Sequence, residues 1–278
     1  MHELPLVFFT VLAQAVAGSV ILLTLFSALP CYRNSFSTAA LTEITLMQLA
    51  VLALSGMAAL THLGMPLRAM NVVYGVFHGS AMSLEIVAVS LFGALLSGVL
   101  FLAWRDANGK ILWLVRGLCA ASAILALVAI TRVYHLPTVP LWSSMWTWGN
   151  FALTASVAGA ALLLALLHFT QVESRLIARV FLPFVIGVAL VVSVHYLFAL
   201  NLELVALHTH LDSFLQNALG LRFTLLVVAL VLCCLPSRMF TTSPHISTLR
   251  VLSLTLILIV AELIGRVFFY ELMLIGHL

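Results

Sequence analysis

The chain has 278 residues, of which 64% are hydrophobic and 8% charged, and its formal net charge is +3. A mean hydropathy of +1.22 excludes a water-soluble globule, whose composition is typically about half apolar and a quarter charged. Scattered arginines with a single Lys110 exclude a basic patch for nucleic acid, so no partner of that class is expected.

Apolar runs long enough to cross a bilayer, at about 20 residues each, follow one another along the chain. They predict about eight transmembrane helices, over roughly 5–29, 43–63, 80–102, 111–134, 149–171, 179–200, 218–236 and 247–273. The longer connections fall at roughly 30–42, 64–79, 135–148 and 201–217. The short alternating strands of an outer-membrane barrel are absent. Backbone groups in lipid must be hydrogen-bonded within their own segment. The reading is therefore an all-α integral membrane protein, a helix bundle forming one anchor domain over 1–278 and surrounded by lipid bilayer. Met1-His2-Glu3 reads as the start of the first helix and not as a removed leader. Cys31, Cys119, Cys233 and Cys234 match no zinc or iron–sulfur ligand spacing, so no metal is expected.

Orientation follows from the basic residues. One set of loops and helix ends carries Arg33, then Arg105, Lys110 and Arg116, then Arg175 and Arg179, then Arg238 and Arg250. The opposite set carries Glu203, Asp212 and many histidines. The positive-inside rule places the first set in the cytoplasm and both termini outward. Trp142, Trp146 and Trp148 fit an outer aromatic belt. Arg68, Arg132, Arg222 and Arg266 sit near outward helix ends and oppose the trend.

Depth counting gathers the ionisable groups into one outward layer. His62 occupies the last turn of the second helix. Glu85 lies roughly 8 Å below the outer surface in the third, and Glu262 in the eighth is at a similar depth. Arg266, at i+4 from Glu262, is placed to form an ion pair with it. His195 falls in the same band and Arg132 at its edge. Several of these have plain readings. Arg132 can snorkel to headgroups, Glu262–Arg266 can be a structural pair, and His195 can be a satisfied core histidine. His208 and His210 can be solvated loop residues. Gln14 reads as an interhelical hydrogen-bonding side chain. Gly64-Met65-Pro66 reads partly as a helix terminator. Glu85 resists such a reading: Ala81 and Val89 flank it at i±4, so it must pair across helices or take up a proton.

A carboxylate, an imidazole and a guanidinium just under the membrane surface suit the head of a quinol. A quinol loses two protons with two electrons while its tail stays in lipid. His62 and Glu85 would accept the protons, and Arg68 would orient a ring oxygen. His195 has no mate at its depth for a b-haem, so no haem is expected and electrons must leave to a partner on the outer face. Three other readings compete: a purely structural anchor without its own quinol site, a b-type cytochrome, and a transporter. The last would place its site at the midplane in broken helices.

Several fragments carry a family resemblance: His2-Glu3-Leu4-Pro5-Leu6 with Phe9-Thr10, His62-Leu63-Gly64 with Pro66-Leu67-Arg68-Ala69 and Asn71, Glu85-Ile86, Thr138-Val139-Pro140 with Trp142, and Glu262-Leu263-Ile264-Gly265-Arg266 with Phe269-Tyr270. With them the chain resembles the membrane anchor subunit of dimethyl sulfoxide reductase, a molybdoenzyme of anaerobic respiration. It departs at Val72-Val73-Tyr74-Gly75, where the family usually runs Ser-Leu-Asn-Arg. The resemblance implies an anchor in the bacterial inner membrane that holds an iron–sulfur electron-transfer subunit and a molybdopterin catalytic subunit and oxidises menaquinol for them. It implies that His62 and Glu85 carry quinol oxidation. Arg68, Asn71, Glu262 and Arg266 are the candidates to bind the quinol.

Overall fold

A computed structural model describes residues 4–30, 36–62, 72–235 and 247–275. Among them are eight helices long and apolar enough to cross a membrane, and no strand. They are α1 (Leu4–Ala28), α2 (Thr38–His62), α4 (Ala81–Trp104), α5 (Gly109–Tyr134), α6 (Met145–Phe169), α7 (Leu182–Ala206), α8 (Ser213–Cys234) and α9 (Thr248–Ile275). A short helix, α3 (Val72–Phe77), lies inside the connection expected at 64–79.

Most spans start earlier or end later than hydropathy marks them, because capping side chains and not apolarity set the ends. Ser37 Oγ accepts from Ala40 N at 3.1 Å, so α2 begins well before residue 43. Asp212 Oδ1 accepts from Leu215 N at 2.8 Å and starts α8 at Ser213. Together with the extension of α7 to Ala206, this shortens the connection expected at 201–217 to residues 207–212. Asn108 caps α5 in the same way through Lys110 N. Ahead of α7, residues Ile177–Phe181 form a π-helical turn. Pro183 has no N–H for the carbonyl one turn back and its ring crowds that carbonyl, which a wider turn relieves.

Two helices form the interior. α1 and α6 are buried along most of their length; α2, α5, α7 and α9 pack against them, and α4 and α8 lie further out on those helices. Lipid offers no hydrophobic drive for helices to associate, so close packing of small residues must supply it. Gly18 and Gly159 supply it here. A Cβ on Gly18 would stand 1.9 Å from the carbonyl oxygen of Ala155, and one on Gly159 2.7 Å from the Cα of Gly18. The two backbones therefore touch, among buried Ala13, Ala15, Ala17, Ala158, Ala160 and Ala161. α2 is tied to α1 by Gln48 Nε2, which donates to Ser19 Oγ at 3.0 Å in a buried position.

The end of the bundle that holds the N-termini of α1 and α6 is closed by aromatic rings. Tyr134, Trp142, Phe151, Phe269 and Tyr270 pack mostly edge to face at centroid distances of 4.9 to 6.3 Å. Trp142 is expected in an interfacial belt, but it is buried. Its ring stacks on Phe269 and its Nε1 donates to the Phe269 carbonyl at 2.8 Å. At the opposite end two basic residues close helix C-termini. Arg116 Nη2 donates to Ser27 Oγ at 2.8 Å and to the Leu23 carbonyl at 3.4 Å. Arg250 Nη2 donates to the carbonyls of Leu232, Cys233 and Leu235 at the end of α8. Arg250 thereby satisfies orphan carbonyls at the end of α8, and both cations complement the dipole of the helix they close.

Replacing Gly159 by leucine is expected to cost about 3 kcal/mol, at the upper end for forcing volume into a packed core, since the obstacle is backbone and cannot rotate away. A thermal melt of the purified protein in detergent checks this. Gly187→Leu, at a position with open space around it, should leave the melt close to wild type.

Candidate functional site

The central polar group of the bundle is built on one face of α9. Glu262, Gly265, Arg266, Phe269 and Tyr270 fall at i, i+3, i+4, i+7 and i+8, which a helix brings to one side. Glu262 is 1% exposed. Its Oε2 accepts from Thr154 Oγ1 of α6 at 2.7 Å, and Arg222 Nη2 of α8 stands 3.4 Å from Oε1 and 3.5 Å from Oε2. Gly265 makes room for that arginine: a Cβ there would stand 2.7 Å from Arg222 Nε. Arg266, also buried, turns away to α1 and α6. Its Nη2 donates to Gln14 Oε1 at 2.7 Å, and its guanidinium lies 3.6 Å over the Phe151 ring.

This corrects the expectation of an i, i+4 ion pair. The ion-pair partner of Glu262 is Arg222, and Arg266 is held by Gln14 and an aromatic face. Spacing alone brings Glu262 and Arg266 side by side, but the neighbours on α8 and α1 offer each a better-aligned contact. Gln14 is the interhelical hydrogen-bonding side chain that its depth suggests. A small cavity of about 10 Å³, the volume of about one water, is bounded by Asn150, Thr154, Tyr196, Arg222, Gly265 and Arg266. The Nε atoms of both arginines are buried without a hydrogen bond among the described residues.

Glu85 is a second and different carboxylate. It lies on α4, one turn in from Ser80, whose side chain caps the helix. Only 7% of it is exposed, and its Oε1 is buried with no hydrogen-bond partner among the described residues. Buried polar atoms are nearly always paired, so such an orphan calls for an explanation. Tyr134 and Tyr270 are within its electrostatic reach, and the Tyr270 hydroxyl lies beside Thr10 and Tyr134. Arg266 also acts on both tyrosines. Polar and aromatic groups thus run from Glu85 through Tyr134 and Tyr270 to Arg266, Glu262 and Arg222.

The other expected residues divide. His62 ends α2 and is exposed. Leu52 of α2 packs by Gly93 of α4, and at 1.5 Å per residue His62 lies about 15 Å and Glu85 about 12 Å beyond that contact, toward the same end of the bundle. Arg68 and Asn71 lie outside the described residues. His195 is not in the core: it is exposed on α7, its Nδ1 2.9 Å from the Val191 carbonyl of the same helix. Arg132 is exposed at the end of α5, as snorkelling requires. Thr154, Tyr134 and Phe151 join the site without any residue spacing that signals them. Arg222 stands out in the sequence only as a basic residue on the wrong side of the topology.

A family model described as DMSO reductase anchor subunit (DmsC) matches residues 1–272. The protein is 31% identical to the C chain of anaerobic dimethyl sulfoxide reductase from Haemophilus influenzae, over 98% of its own length and 95% of that relative's. It is 33% identical to the corresponding C chain from Escherichia coli K12, and 32% to the YnfH chain of anaerobic dimethyl sulfoxide reductase from that organism, with the same coverage. No solved structure matches it.

Removing one member of a buried ion pair strands the other. Arg222→Leu and Glu262→Gln are each expected to destabilise the bundle by about 3 kcal/mol or more, and the double variant by clearly less than the sum. A double-mutant cycle of detergent melts measures that coupling.

Proposed function

The chain belongs to the dimethyl sulfoxide reductase anchor subunit family, and from that premise we propose that it binds menaquinol beside Glu85 and oxidises it. The electrons go to an iron–sulfur subunit docked on the outer face of a bacterial inner membrane, and from there to a molybdopterin catalytic subunit. The observation that supports this most is the buried Oε1 of Glu85, a carboxylate oxygen with no hydrogen-bond partner among the described residues. Family membership alone leaves open whether the anchor does chemistry; a carboxylate oxygen held ready at the membrane edge favours the reading in which it does.

The step balances without a group in this protein that stores electrons. Two quinol O–H bonds break, two electrons leave to the partner's cluster, and two protons need acceptors. Glu85 accepts one at its open oxygen. His62, at the exposed end of α2 on the same side, accepts the other and faces the aqueous route by which protons leave. Arg222 pairs with the Glu262 carboxylate, and Arg266, held by Gln14, adds a second buried guanidinium on the same face of α9. The surplus positive charge favours a quinol oxygen as it becomes anionic. Arg68 and Asn71, which follow His62 in the sequence, are the further candidates to hold the ring. Glu262 and Arg266 fit a structural role better than direct contact with the quinol, because each is already engaged by a neighbouring helix.

Glu85→Gln keeps the shape and removes the base. In the assembled complex it is expected to lower menaquinol-dependent reduction about a hundredfold, the usual worth of a general base, with reduction from an artificial donor to the soluble subunits unchanged. His62→Asn should fall in the same direction. If quinol-dependent turnover survives both changes, the quinol site lies elsewhere. If instead the soluble subunits are lost from the membrane fraction, the residues serve docking, and a purely structural anchor is the better reading.

A further inference from the structure

The end of the bundle away from Glu85 carries a site of another kind. A cleft of about 550 Å³ opens between the C-terminal end of α1 and the first turns of α5, bounded by Ser27, Ala28, Phe36, Lys110, Trp113 and Arg116. That is room for a ligand head and not for water alone. Lys110, Trp113 and Arg116 stand three residues apart, so they share one face of α5 over successive turns.

Arg116 is the informative residue. It is only 8% exposed, yet both of its hydrogen bonds come from Nη2, to Ser27 Oγ and the Leu23 carbonyl. A guanidinium has five N–H donors in a fixed fork. The Nε and Nη1 donors have no hydrogen bond among the described residues, and the residue lines the cleft. Exposed Lys110 adds a second cation at the mouth, and no carboxylate lines the cleft among the described residues. Two positive groups at different depths, one of them fixed with free donors, describe a receptor for a phosphate-bearing anion.

The surroundings select a lipid source. Trp113 is 58% exposed, and Ile111, Leu114 and Leu118 beside it on α5 are exposed too. A lipid tail could lie along that helix while the headgroup enters the cleft, with the indole at the level where tryptophans prefer to sit. Basic pockets between membrane helices take anionic headgroups for the same reason. We infer that the cleft between α1 and α5 binds an anionic phospholipid by its phosphate, through the free guanidinium donors of Arg116 and the ammonium of Lys110.

The full-length protein, purified in mild detergent and stripped of lipid, tests this by thermal melting with phosphatidylglycerol, phosphatidylcholine or inorganic phosphate added in turn, alongside lipid mass spectrometry of the unstripped protein. Phosphatidylglycerol should raise the melting temperature and phosphatidylcholine should not. Lys110→Gln, on an exposed side chain that threatens no packing, should weaken phosphatidylglycerol binding about fivefold, the worth of one basic residue at a membrane surface. Arg116→Gln should abolish the selectivity, and Arg116→Lys should restore part of it. Equal shifts from the two lipids, or Lys110→Gln and Arg116→Gln behaving as wild type, would overturn the site. Inorganic phosphate producing the same shift alone would make it a receptor for a free anion and overturn the lipid assignment.

Discussion

The backbone contact of α1 with α6 is the constraint on which the rest of the structure depends. Gly18 and Gly159 let the helices meet without intervening side chains, and their one turn of closest approach fixes what the next turn presents. One turn nearer the N-termini lie Gln14 on α1 and Thr154 and Ala155 on α6. Both Gln14 and Thr154 are then held at the face of α9, where Gln14 receives Arg266 and Thr154 donates to Glu262. A wider crossing would pull both away from α9 and leave two charges in hydrocarbon without partners, which is costly.

The charges themselves obey a geometric rule. Arginine suits a buried site because its fork can be satisfied from more than one side. Arg222 lies over Gly265 so that it can reach Glu262, and Arg266 uses an amide and a ring face where no second carboxylate is at hand. At the other end of the bundle Arg116 is held by Ser27 and the Leu23 carbonyl in the last turns of α1, and Arg250 by the carbonyls that end α8. Arg116 and Arg250, which mark topology in the sequence, are therefore also fixed parts of the fold.

Much of the architecture is legible because hydropathy over a window measures what a bilayer measures, the transfer of a whole segment. That is why all eight spans can be found from sequence. Their ends are less legible, since Ser37 and Asp212 extend α2 and α8 through hydrogen bonds that hydropathy does not see. Partner choice is least legible. The i, i+4 spacing of Glu262 and Arg266 is a statement about one helix, while their partners depend on how α1, α6 and α8 are rotated about their axes. The same blindness to rotation leaves a core role open for His195, when its side of α7 faces outward, and puts Trp142 in a belt when its short turn folds back over Phe269. Glu85 is legible for the opposite reason: with Ala81 and Val89 at i±4 its own helix could not satisfy it, whatever its rotation.

That contrast separates the two carboxylates at this end of the bundle. Glu262 and Glu85 are the same residue type, both buried. Glu262 has both oxygens engaged, by Thr154 and Arg222, and taking up a proton there would disrupt a group that joins three helices. Glu85 keeps one oxygen open, on the outermost turns of a helix that packs at the edge of the bundle and not at its centre. Protonating it breaks no interhelical hydrogen bond at that oxygen, so it can exchange a proton repeatedly without loosening the fold. A carboxylate that is to cycle must be one the structure does not lean on, and by that criterion Glu85 is the member of the pair that suits the proposed proton transfer and Glu262 the one that holds the helices.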